Sequence, residues 1–289
     1  MSRNLLEIAA LDAAALTELI DMAERPLGTP LAGRGVAMVF EKPSARTRSS
    51  TEMAAVQLGA HPVYIQKDEV GIGTRETPED VARTLACYHA LICARVARHA
   101  HLDAMAAATD APLLNLLSEH AHPLQALADL LTIRQLVGRI EGVPVAYVGD
   151  ANNVCRSLAE GCALLGATLN VASPEGHGFD AAELARLPGV RQFVDPSDAV
   201  AGAWIVYTDV WVSMGEADAK KAAFVGYQVT GELMARADDA WFLHCLPAHR
   251  GEEVAADVID GPRSAVWRQA ENRMHTARAA MAWMLGARA

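Results

Sequence analysis

The segment Phe40-Glu41-Lys42-Pro43-Ser44-Ala45-Arg46-Thr47-Arg48 sets two hydroxyls and two guanidiniums between an apolar run and the start of a helical pattern. That combination suits a phosphate cradle. Helix N-terminal N–H groups and Ser/Thr hydroxyls donate to phosphate oxygens, and Arg forks add charge-assisted bidentate bonds. The plainer alternative is a basic turn capped by Ser44. Five further polar clusters follow apolar runs: Arg95, His122-Pro123-Leu124-Gln125, Gly149-Asp150-Ala151-Asn152-Asn153, Asp209 to Gly215, and His244 to Gly251. Arg95 reads either as a partner of the phosphate or as an edge-strand charge reaching solvent. His122 and Gln125, one helical turn apart, either face a ligand or satisfy local backbone. Asp150 reads as the cap of the following helix, with Asn152 as a second capping candidate. Asp209 is harder to explain by structure alone, because a carboxylate ending a buried run needs a partner, and a substrate ammonium would serve. Cys245 has His244 and His249 nearby in sequence. Adjacent strand residues face opposite ways, however, and the Leu246-Pro247 turn separates His249, which argues against a covalent thiol mechanism.

The elements that must position these residues alternate from end to end. The pattern predicts strands over Val36–Phe40, Pro62–Ile65, Ala90–Val96 and Pro112–Leu117. A second series covers Val143–Val148, Thr168–Ala172, Val190–Val194, Trp204–Thr208 and Trp241–Cys245. Helical spacing falls between them, over Arg46–Leu58, over Thr77–Tyr88 (Thr77 as N-cap, Pro78 at the first position), over His122–Val137 and over Gln269–Leu285. Such alternation predicts an α/β fold of two doubly wound, parallel-sheet domains joined by long helices. The boundary is placed at Gly138–Gly142: residues 1–138 form one domain, 139–268 the other, and the C-terminal helix 269–289 packs back on the first. In such sheets ligands bind beyond the carboxyl ends of the strands, where all six clusters fall.

With 289 residues there is room for two medium domains. A net charge of -10, from 35 acids against 25 Lys plus Arg, argues against a nucleic-acid binder, so local basic clusters imply a small anionic ligand. Five cysteines at no metal-like spacing argue against a disulfide framework or zinc finger and suit a reducing cytoplasm. No apolar run approaches the ~18 to 20 residues a membrane helix needs. Neither G-x-G-x-x-G nor G-x-x-x-x-G-K-[ST] occurs at the expected turns, which counts against nicotinamide and nucleoside triphosphate chemistry.

Taken together, the segments resemble the aspartate/ornithine carbamoyltransferase family over nearly the whole chain. Ser44 to Arg48 is similar to its carbamoyl phosphate loop and His122 to Gln125 to its carbamoyl-recognising motif. D-V-W-V-S-M-G at Asp209–Gly215 and H-C-L-P-A-H-R at His244–Arg250 resemble the ornithine-type versions, and Gln269–Arg273 resembles the closing-helix motif. The resemblance implies that Ser44, the Ala45 N–H, Arg46, Thr47 and Arg95 hold phosphate. It implies that His122, Arg273 and Thr47 polarise the carbamoyl carbonyl, while Gln125 and the Leu246 carbonyl accept from its amide. Asn153, Asp209, Ser213 and the Met214 backbone would bind the α-amino and α-carboxylate groups of L-ornithine, with Cys245 near the attacking amine. Arg95, His122, Gln125, Cys245 and Arg273 would be the catalytic set, with no metal or cofactor. Citrulline would be the product, from a cytoplasmic homotrimer whose domains close over the substrates.

Three departures from the family pattern stand out. Ala45 lacks a hydroxyl that many relatives carry. Gly71 stands where, by the resemblance, many members present a Gln or His to the neighbouring subunit. The chain is also short around Pro174–Val190. Aspartate, a modified ornithine or a diamine remain alternative acceptors, as does a non-catalytic carbamoyl phosphate binder.

Overall fold

The computed structural model describes residues 3–212 and 218–287. Two compact units divide the chain, the first comprising Met1–Ala128 with Glu271–Ala289 and the second Asp129–Ala270. Both crossings fall inside helices, Pro123–Val137 and Val266–Met284, rather than in the glycine-bounded loop at 138–142. A continuous apolar helix face gives no break in pattern, so only the loop was visible as a boundary.

In the first unit, β1 (Gly35–Phe40), β2 (His61–Gln66), β3 (Leu91–Arg95) and β4 (Leu113–Leu117) form one parallel sheet in the order β2-β1-β3-β4. Val36 to Phe40 are all buried, as expected of a central strand covered on both faces. Each such Val or Phe contributes ~1.5–3 kcal/mol. In the second unit β5 (Pro144–Val148), β6 (Thr168–Ala172), β7 (Val190–Phe193), β8 (Ile205–Thr208) and β9 (Trp241–His244) form a parallel sheet ordered β7-β6-β5-β8-β9. Every strand lies within one residue of its predicted ends. The helix predicted over Thr77–Tyr88 spans Pro78–Ala86, and Thr77 caps it by accepting from the Asp80 N–H.

The strand orders locate the switch points. The chain leaves β1 to one side for β2 and then crosses to the other for β3, so a crevice opens past the β1 and β3 ends. In the second sheet the same reversal lies between β5 and β8.

Gly71 closes the short helix Lys67–Val70 at φ 59°, and a Cβ there would stand 2.9 Å from the Arg75 Cβ. Its turn needs glycine whatever the family presents at that place. Among the described residues no helix is long and apolar enough to cross a membrane.

Candidate active site

The first half-site lies at the β1/β3 switch point. Ser44 is the N-cap of helix Ala45–Gln57, accepting from the Thr47 N–H at 3.3 Å and donating to Thr47 Oγ1 at 3.0 Å. Arg95 Nη1 donates to the same Oγ1 at 3.3 Å. Thr47 therefore accepts twice, which leaves its own proton to aim at an anion, beside the N–H groups of Ala45 and Arg46. Arg46 is exposed at the rim. Arg95 pairs in register with Phe40 on central β3, so the edge-strand alternative fails. A register shift between Ala94 and Arg95 against β4 helps aim the side chain.

Past β4, the turn to His122 is held by Ser118 N–H to Ala121 O at 3.0 Å, by Ala121 N–H to Ser118 Oγ at 3.1 Å, and by Asn115 Nδ2 to Ala121 O at 3.3 Å. The His122 carbonyl accepts from Gln125 and Ala126 N–H and so begins the helix Pro123–Val137. Arg273 belongs to this unit, and one turn later Thr276 Oγ1 donates to Leu124 O at 3.3 Å, fixing one helix on the other. Arg95, His122, Gln125 and Arg273 are all at least nine-tenths buried. Burial, then Arg273 and Arg95, hold His122 well below the usual histidine range. It is thus a neutral donor among cations, a setting for an anion with a polarisable carbonyl.

The second half-site lies at the β5/β8 switch point. Gly149, at φ 138°, turns the chain out of β5 beside Thr208, whose Oγ1 donates to Val148 O at 2.6 Å. The cap of helix Asn153–Leu165 is Asn152, accepting from the Val154 and Cys155 N–H groups. Asp150 does not fill that role; it pairs with Lys220 Nζ at 2.7 Å and lies 3.5 Å from His177 Nδ1, because a long cation reaches it from the helix that begins at 218. Asn152 Nδ2 also donates to Asp209 Oδ2 at 2.9 Å, and the Cys245 thiol donates to Asp209 Oδ1 at 2.9 Å. Asp209 is 5% exposed, and its buried carboxylate meets two neutral donors and no cation among the described residues. Asn153 opens the helix beside this group. Ser213 and Met214 lie outside the described residues.

Burial, and then Asp209, push the Cys245 thiol well above its ordinary range, which disfavours a thiolate nucleophile. His244 supplies no base to it. Its Nδ1 accepts from the Leu246 N–H at 2.9 Å and its Nε2 faces Glu253 Oε1 at 3.2 Å. Leu246 sits at φ 60°, followed by cis Pro247. A left-handed non-glycine residue costs ~1–3 kcal/mol and persists only where surroundings hold it. The His244 acceptor does this, and it sets where the Leu246 carbonyl points. Gln269 adds a second tie, accepting from His244 N–H at 2.9 Å and donating to Asp129 Oδ1 at 2.7 Å.

Sequence reasoning missed Asn152 as an Asp209 partner, named Gln269 only as part of the closing-helix motif, and missed Asp129 and Glu253 altogether. An Asn two residues after the strand turn was a signal for the first. Nothing local marks Asp129 or Glu253, and the tie from Gln269 to His244 and Asp129 depends on contacts between a strand and helices. Among the described residues, two groups gather three metal-ligand-type side chains with donor atoms within 4.8 Å: Asp209, His244 and Cys245, and His249, Glu252 and Glu253. In the first group the side chains already satisfy one another or the Leu246 turn.

Residues 3–135 match the family description "Aspartate/ornithine carbamoyltransferase, carbamoyl-P binding domain" and residues 141–284 match "Asp/Orn binding domain" of the same family. A relative called ornithine carbamoyltransferase from Thermus thermophilus is 45% identical over 295 residues, covering 99% of this chain and 97% of its own. The solved ornithine carbamoyltransferase of that organism superposes with a TM-score of 0.92 at 44% identity, covering 99% of each chain. That of Pyrococcus furiosus gives 0.93 at 40%, covering 99% of this chain and 97% of its own. Two half-sites at two switch points, on a fold and sequence shared over full length, settle the kinship: the chain belongs to the aspartate/ornithine carbamoyltransferase family.

Proposed function

We propose that the protein transfers the carbamoyl group of carbamoyl phosphate to the δ-amine of L-ornithine, giving citrulline and phosphate. The observation that carries the choice of acceptor is the buried Asp209 carboxylate at the β5/β8 switch point, held by Asn152 and Cys245. An ammonium satisfies that carboxylate, whereas a second acceptor carboxylate, as in aspartate, is repelled by it.

In this reading Ser44, Thr47, Arg46, Arg95 and the N–H groups of Ala45 and Arg46 hold the phosphate. Thr47, His122 and Arg273 donate to the carbamoyl oxygen, while Gln125 and the Leu246 carbonyl accept from its amide. Asn153, Asp209, Ser213 and the Met214 backbone hold the α-amino and α-carboxylate groups, and Cys245 lines the side-chain path. The neutral δ-amine attacks the carbamoyl carbon and negative charge gathers on the carbonyl oxygen. The C–O bond to phosphate then breaks, and the leaving phosphate takes the amine proton. His122 stays neutral throughout and works as a donor, while the guanidiniums stabilise the developing charge. A preorganised donor of this kind typically contributes ~2.7–4 kcal/mol. The assignment extends to a cytoplasmic homotrimer serving arginine biosynthesis, as the family resemblance implies.

The test is citrulline formation by purified protein from carbamoyl phosphate, with L-ornithine, L-aspartate and putrescine compared as acceptors. Ornithine should exceed both by at least ~10²-fold in kcat/KM, the discrimination expected when a buried charge is left unpaired or opposed. Equal activity on aspartate would refute the reading, and no turnover with any acceptor would favour a binding-only relative.

A further inference from the structure

The loop after β9 gathers a second set of donors that the carbamoyl transfer does not use. His249, Glu252 and Glu253 bring an imidazole nitrogen and two carboxylate oxygens within 4.8 Å of one another. Glu253 is wholly buried. Its Oε1 accepts from the His249 N–H at 2.5 Å and lies 3.2 Å from His244 Nε2. Its Oε2 is buried with no hydrogen-bond partner and faces His249 Nδ1 at 3.6 Å, too far for a hydrogen bond. A carboxylate oxygen thus sits buried with an unused lone pair beside an imidazole whose side chain is 51% exposed, an opening from solvent.

We propose that His249 Nδ1, Glu252 and Glu253 Oε2 form a binding site for a borderline divalent transition metal such as zinc, with water completing the shell. One nitrogen and two carboxylates suit zinc, whereas magnesium and calcium prefer oxygen alone. Two donors ~2.0–2.1 Å from one tetrahedral ion stand about 3.4 Å apart, close to the 3.6 Å between His249 Nδ1 and Glu253 Oε2. The competitor is Lys221, whose Nζ lies 3.0 and 2.9 Å from the two Glu252 oxygens and must yield one of them to the ion. Because Glu253 Oε1 bears on His244, and His244 on the Leu246 N–H, an ion here acts on the Leu246 turn from outside the reaction.

Zinc affinity is measured by competition with a chromophoric chelator on the full chain, comparing wild type, His249→Ala, His249→Gln, Lys221→Met and Cys245→Ser, each checked by thermal melting. Wild type and Cys245→Ser should bind one zinc ion alike. Both His249 variants should bind at least ~10-fold more weakly, the loss that even an outer partner of a metal ligand typically causes, and Lys221→Met should bind more tightly. The proposal is overturned if wild type takes up no zinc at micromolar concentrations, or if the folded His249 variants match wild type. It is overturned equally if Cys245→Ser loses as much as they do, which assigns the ion to Asp209, His244 and Cys245, or if Lys221→Met leaves affinity unchanged, which removes Glu252 from the ligands.

Discussion

Replacing Asp209 with asparagine keeps the side chain's shape and removes its charge, which makes Asp209→Asn the sharpest test of the acceptor half-site. At about 3 Å and an effective dielectric near 20, a carboxylate attracts an ammonium by about 5.5 kcal/mol. Desolvation takes back much of that, and hydrogen bonds to charged groups contribute ~1.5–3 kcal/mol net. At 1.4 kcal/mol per factor of ten, kcat/KM for ornithine should fall by roughly 10- to 150-fold. A second loss adds to this. Asn152 Nδ2 and the Cys245 thiol each donate to one Asp209 oxygen, and an amide offers only one oxygen between them, so one donor loses its acceptor. Initial rates with both substrates varied would measure the effect, with a melting curve to show that the protein folds. The KM for carbamoyl phosphate should barely move, because Asp209 belongs to the second unit and the phosphate cradle to the first. A folded variant within about threefold of wild type for ornithine would refute the pairing of Asp209 with the substrate ammonium.

Arg46→Ala should lower kcat/KM by ~10² or more, and Ala45→Thr should leave activity similar or tighten phosphate modestly; a folded Arg46→Ala protein with unchanged turnover would make the cradle merely structural. Cys245→Ser should retain turnover with its change mainly in ornithine KM, and initial-rate lines for the two substrates should intersect, whereas parallel lines with a dead, folded variant would establish covalent catalysis. His122 adds a pH signature to stability. Burial, Arg273 and Arg95 keep it neutral in the folded protein where the unfolded chain protonates it, so below pH ~6.5 the unfolded state binds more protons and stability drops. His122→Gln should therefore flatten the fall in melting temperature as pH drops through ~6 to 4.5, and parallel profiles for the two proteins would show that the folded histidine titrates normally.

Much of the fold was legible because each strand is a short apolar or β-branched run bounded by Gly, Pro, Asp or Asn. Parallel strands buried on both faces produce that pattern, and its ends carry little ambiguity. The helix start that forms the proposed cradle was legible for a local reason: Ser44, Ala45, Arg46 and Thr47 occupy one helical N-terminus, so sequence distance and spatial distance coincide. Arg95 required topology, because only the order β2-β1-β3-β4 places β3 beside β1 and brings its guanidinium to Thr47. Asp150 was misread since a capping propensity is shared by Asp and Asn two residues apart, and the choice between them depended on Lys220, seventy residues away. The compact units divide inside helices Pro123–Val137 and Val266–Met284, which run on without a break in pattern, whereas the two family matches, residues 3–135 and 141–284, part near the loop at 138–142.

The His244 and Cys245 pair shows how a sound local rule can still leave a role unnamed. Alternation along β9 correctly separates the two side chains: Cys245 donates to Asp209, while His244 is engaged by Glu253 and the Leu246 N–H. What alternation cannot supply is the purpose of a fully buried imidazole. That emerges from Leu246, whose left-handed backbone is unfavourable by ~1–3 kcal/mol and so needs an external hold. His244 Nδ1 provides it from one side, and Gln269, tied to Asp129, fixes the His244 N–H from the other. Two adjacent residues whose types could suggest a nucleophile and its base thus do different work, as their alternation on the strand already argued, the thiol donating to Asp209 and the imidazole holding the Leu246 backbone in place.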